Sequence, residues 1–282
     1  MRILFEEFED ALAGRNAPHR KAGRILKIIL FGSYARGDWV EDPKGGYFSD
    51  FDLLVVVNHE ELTETLEYWA KAEDHLLREQ AVTKRIATPV NFIVHSLTDV
   101  NQQLKQGRYF FRDIVTQGIA LYEAPNEPFA PIGKLSEAEA RKEARGYFER
   151  WFGSVTEFFG TAKYAAGQHW NNKAAFDLHQ SVERLYHCVL LVLTLYSPKS
   201  HKLNFLRSQC EQLDPRLIAA WPRDTRFAQR CFELLRQAYV NARYSPHYRV
   251  TDEELAWIVE RVEMLQGIVR EICEERLASG GD

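Results

Sequence analysis

Apolar residues follow two different rhythms along this chain, and the change comes near its middle. In the first half they form short, near-continuous runs: Ile25-Leu26-Lys27-Ile28-Ile29-Leu30-Phe31, Phe51-Asp52-Leu53-Leu54-Val55-Val56-Val57, and Thr88-Pro89-Val90-Asn91-Phe92-Ile93-Val94-His95. Runs of this length predict buried strands at 25–31, 51–57 and about 88–95, in a sheet covered by helices on at least one face. Helical spacing predicts helices at about 3–13 and about 60–80. Pro125, Pro128, Pro131 and Gly133 give residues 124–134 the composition of a linker. Beyond it the strand signal stops. Ser136 with Glu139 and Thr251 with Glu254 read as capping boxes. Phe148, Trp151, Phe152, Val155, Phe159 and Ala162 recur at helical spacing, which makes them core positions. Further helices are predicted at about 172–195, 202–213, 224–243 and 251–276, giving a bundle of four long helices and one short one. The expected architecture is α+β over residues 1–125, a linker at 126–135, and an all-α helical bundle over 136–282.

Composition fits that picture. With 282 residues, 45% hydrophobic and 12% aromatic, the chain has room for two globular domains and is not a disordered one. Its four cysteines (Cys188, Cys210, Cys231, Cys273) lack CxxC spacing, so reduced thiols are expected, not a zinc site or disulfide framework. The apolar run Cys188–Leu193 is too short to cross a bilayer, and Glu6, Glu7, Glu9 and Asp10 exclude a signal peptide. A soluble, cytoplasmic protein without a membrane partner is expected. Residues 1–130 carry 15 Lys/Arg against 20 Asp/Glu, and residues 131–282 carry 21 against 20. One window departs from this balance: residues 222–250 hold Arg223, Arg226, Arg230, Arg236, Arg243 and Arg249 against Asp224 and Glu233. It reads as a solvated helix face or a phosphate-facing patch.

The chemistry concentrates at residues 30–57. Asp50 and Asp52 are two apart, so on an extended strand both carboxylates point to one face. Adjacent carboxylates repel, which a divalent cation between them relieves; an oxygen donor set suits Mg²⁺ that also holds substrate phosphates. Gly32 and Ser33, at the end of the preceding strand, supply a turn where backbone N–H groups approach a phosphate closely. The pattern points to nucleotidyl transfer.

Phe31-Gly32-Ser33-Tyr34-Ala35-Arg36-Gly37 followed by Ser49-Asp50-Phe51-Asp52 resembles the signature of the minimal nucleotidyltransferases of the DNA polymerase β-like superfamily. The resemblance implies that Gly32 and Ser33 bind the triphosphate of ATP or another nucleoside triphosphate, with Arg36 as a further phosphate contact or a structural helix residue. It implies Asp50 and Asp52 as catalytic Mg²⁺ ligands and pyrophosphate as the co-product. The chain departs from the pattern twice. The spacer Tyr34–Ser49 has 16 residues, longer than in compact members, and Asp42-Pro43-Lys44-Gly45-Gly46 reads as a surface loop insertion. The family's third carboxylate, a metal ligand and general base, is replaced by Asn91, with Asp113 or Glu123 as acids that could reach in from elsewhere. His95 ends this third strand.

The second half resembles the HEPN bundle through Ala174-Ala175-Phe176-Asp177-Leu178-His179-Gln180-Ser181-Val182-Glu183, Pro198-Lys199-Ser200-His201-Lys202-Leu203, and Ala242-Arg243-Tyr244 before Asp252-Glu253-Glu254. The resemblance implies a domain that closes one side of the cleft, binds the acceptor and mediates homodimerisation. The acceptor is a small molecule, a protein or an RNA. Many HEPN domains are metal-independent RNases using an arginine and a histidine with four to six residues between them. Here Arg243 and His247 have three residues between them, and Pro246 restricts the turn. His179 and His201 read as packing or hydrogen-bonding residues. Three functions follow: an ATP/Mg²⁺-dependent nucleotidyltransferase; a fused toxin–antitoxin-like protein whose HEPN half cleaves RNA through Arg243 and His247 and is restrained by adenylylation of Tyr244 or Tyr248; or a non-catalytic nucleotide-binding module.

Overall fold

The computed structural model describes residues 1–14, 16–39, 41–42 and 47–279, with the backbone alone at 41–42 and 47–48. Apart from the backbone of Asp42, the expected loop insertion lies outside the described residues. The chain divides into two compact units, Met1–Leu135 and Ser136–Asp282.

In the first unit the elements run α1 (Arg2–Leu12), α2 (Pro18–Lys21), β1 (Ile25–Phe31), α3 (Ser33–Arg36), β2 (Glu41–Asp42), β3 (Tyr47–Phe48), β4 (Phe51–Val57), α4 (Ala70–Ala81), β5 (Val90–Ser96), α5 (Leu97–Lys105), α6 (Tyr109–Gln117) and β6 (Ile119–Glu123). Four strands form one mixed sheet in the order β5-β4-β1-β6, with β1 antiparallel to both neighbours and β4 parallel to β5. Leu53, Val55 and Val57 join Ile25, Ile28, Phe8 and Trp69 in a core beneath α1 and α4. Strand alternation turns Asp52, Leu54 and Val56 to the opposite face. That face is buried too, and α5 and α6 pack on the sheet. Cover on both sides is why these strands read as continuous apolar runs.

The helix expected at about 60–80 is broken. Glu60–Thr63 forms a 3₁₀ turn, Glu64 leaves helical geometry at ψ 109°, Thr65–Trp69 forms a π turn, and α4 begins at Ala70. The break lets the buried Trp69 indole donate to the Leu62 carbonyl at 2.7 Å and stack on Phe8 at 4.8 Å. α5, α6 and the edge strand β6 add to the elements read from the sequence; every residue of β6 is exposed, so it carries no burial alternation. The Pro-rich segment before residue 136 is bonded to the first unit. Ala130 N–H donates to Asn101 Oδ1 (2.7 Å), Gly133 N–H donates to the Leu104 carbonyl (2.9 Å), and the Lys27 ammonium lies over the Phe129 ring.

The second unit is a helical bundle: α7 (Glu137–Gly167), α8 (Asn171–Thr194), α9 (Leu203–Leu213), α10 (Arg226–Tyr244) and α11 (Asp252–Ala278), with a 3₁₀ turn at Pro215–Ala220. Both capping boxes form, Ser136 with Glu139 and Thr251 with Glu254. α8 packs against α7, α9, α10 and α11 and is buried around most of its circumference. All four cysteines are free and buried. Among the described residues no helix is long and apolar enough to cross a membrane.

Gly133 fits only without a side chain, because a Cβ there would stand 1.8 Å from the Lys105 carbonyl oxygen. Gly133→Ala is therefore expected to lower stability by at least about 2 kcal/mol, whereas Gly146→Ala, in open space on α7, should raise it by about 0.5–1 kcal/mol. Urea-denaturation midpoints of the two variants measure this; equal effects would refute the packing of the Pro-rich segment.

Candidate functional site

Antiparallel pairing sets Phe31 of β1 opposite Asp52 of β4, so the Gly32-Ser33 turn leaves β1 at the end where the aspartates enter β4. Gly32 has φ 74° and ψ −154°, a conformation open essentially to glycine alone. It launches α3, whose first-turn N–H groups lack intrahelical acceptors by helix geometry. The Ser33 hydroxyl is buried and has no hydrogen-bond partner among the described residues. Asp52 is fully buried. A polar Oγ left bare in the interior beside a buried carboxylate is costly unless a ligand completes it.

Asn91 of β5 stands directly beside Asp52 in the parallel register, and its side-chain Nδ2 donates to Asp50 Oδ2 at 2.9 Å. The amide thus occupies the neighbouring-strand position and holds one aspartate in place. The other acids weighed for this role are engaged elsewhere. Glu123 bonds the buried Lys27 ammonium at 2.8 Å, four residues along β1 from Phe31, on the order of 13 Å from the site end. Asp113 accepts from Arg112 Nε at 3.0 Å. Arg36 Nε donates to Asp38 Oδ2 at 3.1 Å. His95 pairs in register with Val56, at the far end of the strands, and bonds Asp99 at 2.6 Å. Among the described residues no three His, Cys, Asp or Glu side chains converge on a metal position.

In the bundle, Arg243 lies in the last turn of α10 and its Nε donates to the Tyr239 carbonyl at 2.9 Å, with the guanidinium over the Phe176, Tyr239 and Tyr244 rings. His247 follows on an exposed turn; its backbone N–H donates to Ser245 Oγ, and its imidazole has no hydrogen bond among the described residues. Half of the arginine-rich window is paired: Arg223 with Glu211, Arg230 with Glu254 and Arg236 with Glu233. Among the described residues Arg226, Arg243 and Arg249 have no carboxylate partner.

His179 and His201, expected as packing or hydrogen-bonding residues, belong with Glu183 and His187 to one cluster. On α8, His179, Glu183 and His187 recur at i, i+4 and i+8, a spacing that places them on one face. His201 Nδ1 lies 2.9 Å from Glu183 Oε1, His179 Nδ1 3.7 Å from Oε2, and His187 Nε2 4.0 Å from Oε1. His179 is completely buried, and neither ring nitrogen has a hydrogen-bond partner. Burial, reinforced by the nearby His201 and Arg243 charges, pulls its pKa down to about 3. Burial likewise pulls His187 down to about 4. The spacing was visible in the sequence; the Glu183–His201 contact was not, because His201 comes from a separate loop.

Residues 18–127 match the family described as polymerase beta nucleotidyltransferase, and residues 148–272 match the HEPN domain family. The chain is also 33% identical over 117 residues to a Methanocaldococcus jannaschii protein named "Putative protein adenylyltransferase", an alignment covering 42% of this chain and 93% of that protein.

The two buried histidines set a pH dependence. In the unfolded chain they titrate near 6.5, whereas in the folded protein they stay neutral until about 4 and about 3. Between those limits the unfolded state binds more protons, so stability is full above pH 6.5 and falls as pH drops, by up to about 1.4 kcal/mol per pH unit for each histidine. Urea midpoints should fall between pH 7.5 and 5, and His179→Leu/His187→Leu should flatten the slope; an unchanged slope in the double variant would refute this assignment.

Proposed function

The chain belongs to the polymerase-β nucleotidyltransferases and carries a HEPN domain behind that unit, and on that footing we propose that it transfers a nucleoside monophosphate from ATP, with Mg²⁺, to an acceptor hydroxyl. The observation that carries this reading is the β1–β4 register, which sets the Gly32-Ser33 turn beside Asp50 and Asp52. The donor set fits the ion: Asp52 lies at the start of β4 and Asp50 just before it, two hard oxygen donors opposite the end of β1, where the buried Ser33 hydroxyl lacks a partner among the described residues. Asp50 and Asp52 would hold Mg²⁺, which when bound offsets the negative charge of the triphosphate and the departing pyrophosphate.

The residues divide the remaining work. Gly32 lets the backbone approach a phosphate closely, and the Ser33 hydroxyl donates to a phosphate oxygen. Asn91 fixes Asp50 through Oδ2. The acceptor oxygen forms a bond to the α-phosphorus as the bond to pyrophosphate breaks, in line. An amide takes no proton, so the acceptor's proton leaves by a route other than Asn91. The relative's name favours a protein side chain as acceptor, and the HEPN unit is proposed to bind that acceptor and pair two chains.

A second reading, in which the HEPN half cleaves RNA and is restrained by modification of its own tyrosine, is favoured by one contrast. Tyr244 is 74% exposed, with the Arg243 guanidinium over its ring. Tyr248 is buried, donates its hydroxyl to the Leu234 carbonyl at 2.7 Å, and is pushed by burial well above the usual phenol range. Tyr244 is thus the available acceptor of the two.

With radiolabelled ATP and Mg²⁺, Asp50→Ala or Asp52→Ala should reduce label transfer by at least about a hundredfold. Label transfer that survives both changes would sink the reading. ATP binding without transfer in wild type, with transfer gained in Asn91→Asp, would instead assign a non-catalytic nucleotide-binding module. Asn91→Ala should raise the Mg²⁺ concentration needed for half-maximal transfer about tenfold, as loss of a group that positions a metal ligand does. Mass spectrometry after incubation with ATP should place any self-modification on Tyr244; a label on Tyr248 would refute that choice.

A further inference from the structure

We propose that β6 is the docking edge for the protein acceptor: an extended segment with apolar and basic side chains adds to the sheet as a fifth strand and carries its hydroxyl toward the Gly32-Ser33 turn. This rests on the nucleotidyl-transfer reading above and gives that reaction a specificity surface within the first unit.

The sheet has two edges, and they differ. β5 is buried or half-buried at every position, whereas every residue of β6 is exposed, the apolar Ile119, Leu121 and Tyr122 included. An edge strand presents a row of outward N–H and C=O groups to any extended chain. Among the described residues the backbone of β6 bonds only to β1. Lysine or proline commonly closes such an edge, and the sequence Ile-Ala-Leu-Tyr-Glu has neither. A bulge at Leu121, which falls between the pairs Ile28–Tyr122 and Ile29–Ala120, bends the strand without covering it. Unpaired backbone flanked by apolar side chains is the surface that strand addition uses.

Position decides which extended chain belongs there. Ile119 pairs with Leu30, two residues before Gly32, so β6 starts at the end of the sheet where the Gly32-Ser33 turn faces Asp52. A strand laid antiparallel on β6, the more stable pairing, runs toward that same end. It lies three strand spacings from β4, about 14 Å. An extended chain rises about 3.3 Å per residue, so about four residues beyond the paired stretch cross that gap. The acceptor hydroxyl therefore belongs about four residues C-terminal to the docked strand. Docking itself makes and breaks no covalent bond; it sets which hydroxyl reaches the α-phosphorus.

Charge narrows the partner further. Phe5 of α1 meets Tyr122 edge-on at 5.0 Å, which sets α1 beside β6. Glu9, one turn on from Phe5, is exposed and has no ion pair among the described residues. A lysine or arginine of the docked segment has that carboxylate to meet, and its apolar side chains have Ile119, Leu121 and Tyr122. A second copy of this chain fits less well, because its own β6 brings Glu123 and no basic residue.

The test uses the full chain and a synthetic peptide: Val-Lys-Val-Lys-Val, a glycine–alanine spacer of zero, four or eight residues, and one tyrosine. Without nucleotide, saturating peptide should slow hydrogen exchange at Ile119–Glu123 at least about tenfold. The same peptide N-methylated along its Val-Lys stretch keeps the side chains, cannot donate, and should give no protection. Ile119→Lys/Leu121→Lys, at exposed positions, should weaken peptide binding at least about tenfold, with the unfolding temperature and ATP affinity of wild type. With ATP and Mg²⁺, the tyrosine should be labelled best behind the four-residue spacer, and at least about tenfold less by the double lysine variant. Absent protection of β6, equal binding of the N-methylated peptide, or labelling indifferent to spacer and lysines would each overturn this proposal and leave nucleotidyl transfer standing. Protection of β6 that rises with protein concentration in the absence of peptide would assign the edge to a second copy and overturn it too. A wild type that labels no acceptor at all would overturn the transfer reading and this proposal with it.

Discussion

The first unit hangs on the antiparallel pairing of β1 with β4. Because Phe31 lies opposite Asp52, the chain can leave β1 into a glycine-led turn where the acidic residues enter β4. A slip of one residue would reverse every side chain of β4, turning Asp52 into the core under α1 and α4 and Leu53 to the opposite face. The apolar residues that enforce the register, Leu53, Val55 and Val57 against Phe8 and Trp69, are thus what places the carboxylates. The parallel neighbour β5 finishes the work, since Asn91 arrives beside Asp52 and bonds Asp50 across the gap.

The bundle rests on a different constraint. α8 is surrounded by four other helices, so its polar residues have little water to turn to. Most find a partner inside. Asp177 pairs with Lys173, His187 bonds Ser197 at 2.6 Å, and Glu183 is met by a histidine from the loop before α9. His179 has no hydrogen bond and stays neutral at the expense of its basicity. The polar groups of α8 thus meet those of the His201 loop and α10 at one junction of the bundle.

Much of this architecture was legible in the sequence. The apolar runs of β1 and β4 and the capping boxes at Ser136 and Thr251 are local signals, and each formed as read. The elements that were missed lacked such a signal. β6 is exposed at every position, and α5 and α6 are short helices whose buried residues, Val100, Leu104, Phe111 and Ile114, are too sparse to set a clear period. The helix from residue 60 looked continuous because Leu62 and Trp69 share helical spacing, yet the indole's need for an acceptor is met by breaking the helix between them.

By itself the sequence determined the kinds of groups present and their placement along single elements: two carboxylates on one strand face, a glycine where only glycine fits, a helix carrying His179, Glu183 and His187 in line. Those follow from chain geometry over a few residues. Only the tertiary structure decided which groups meet across elements. It set Asn91 as a hydrogen-bond donor to Asp50, tied Glu123 to Lys27 away from the aspartates, and gave Glu183 to His201 and not to His247. The reason is physical: such partnerships depend on strand register and helix packing, which are fixed by the burial of many distant side chains at once and leave no trace in local spacing.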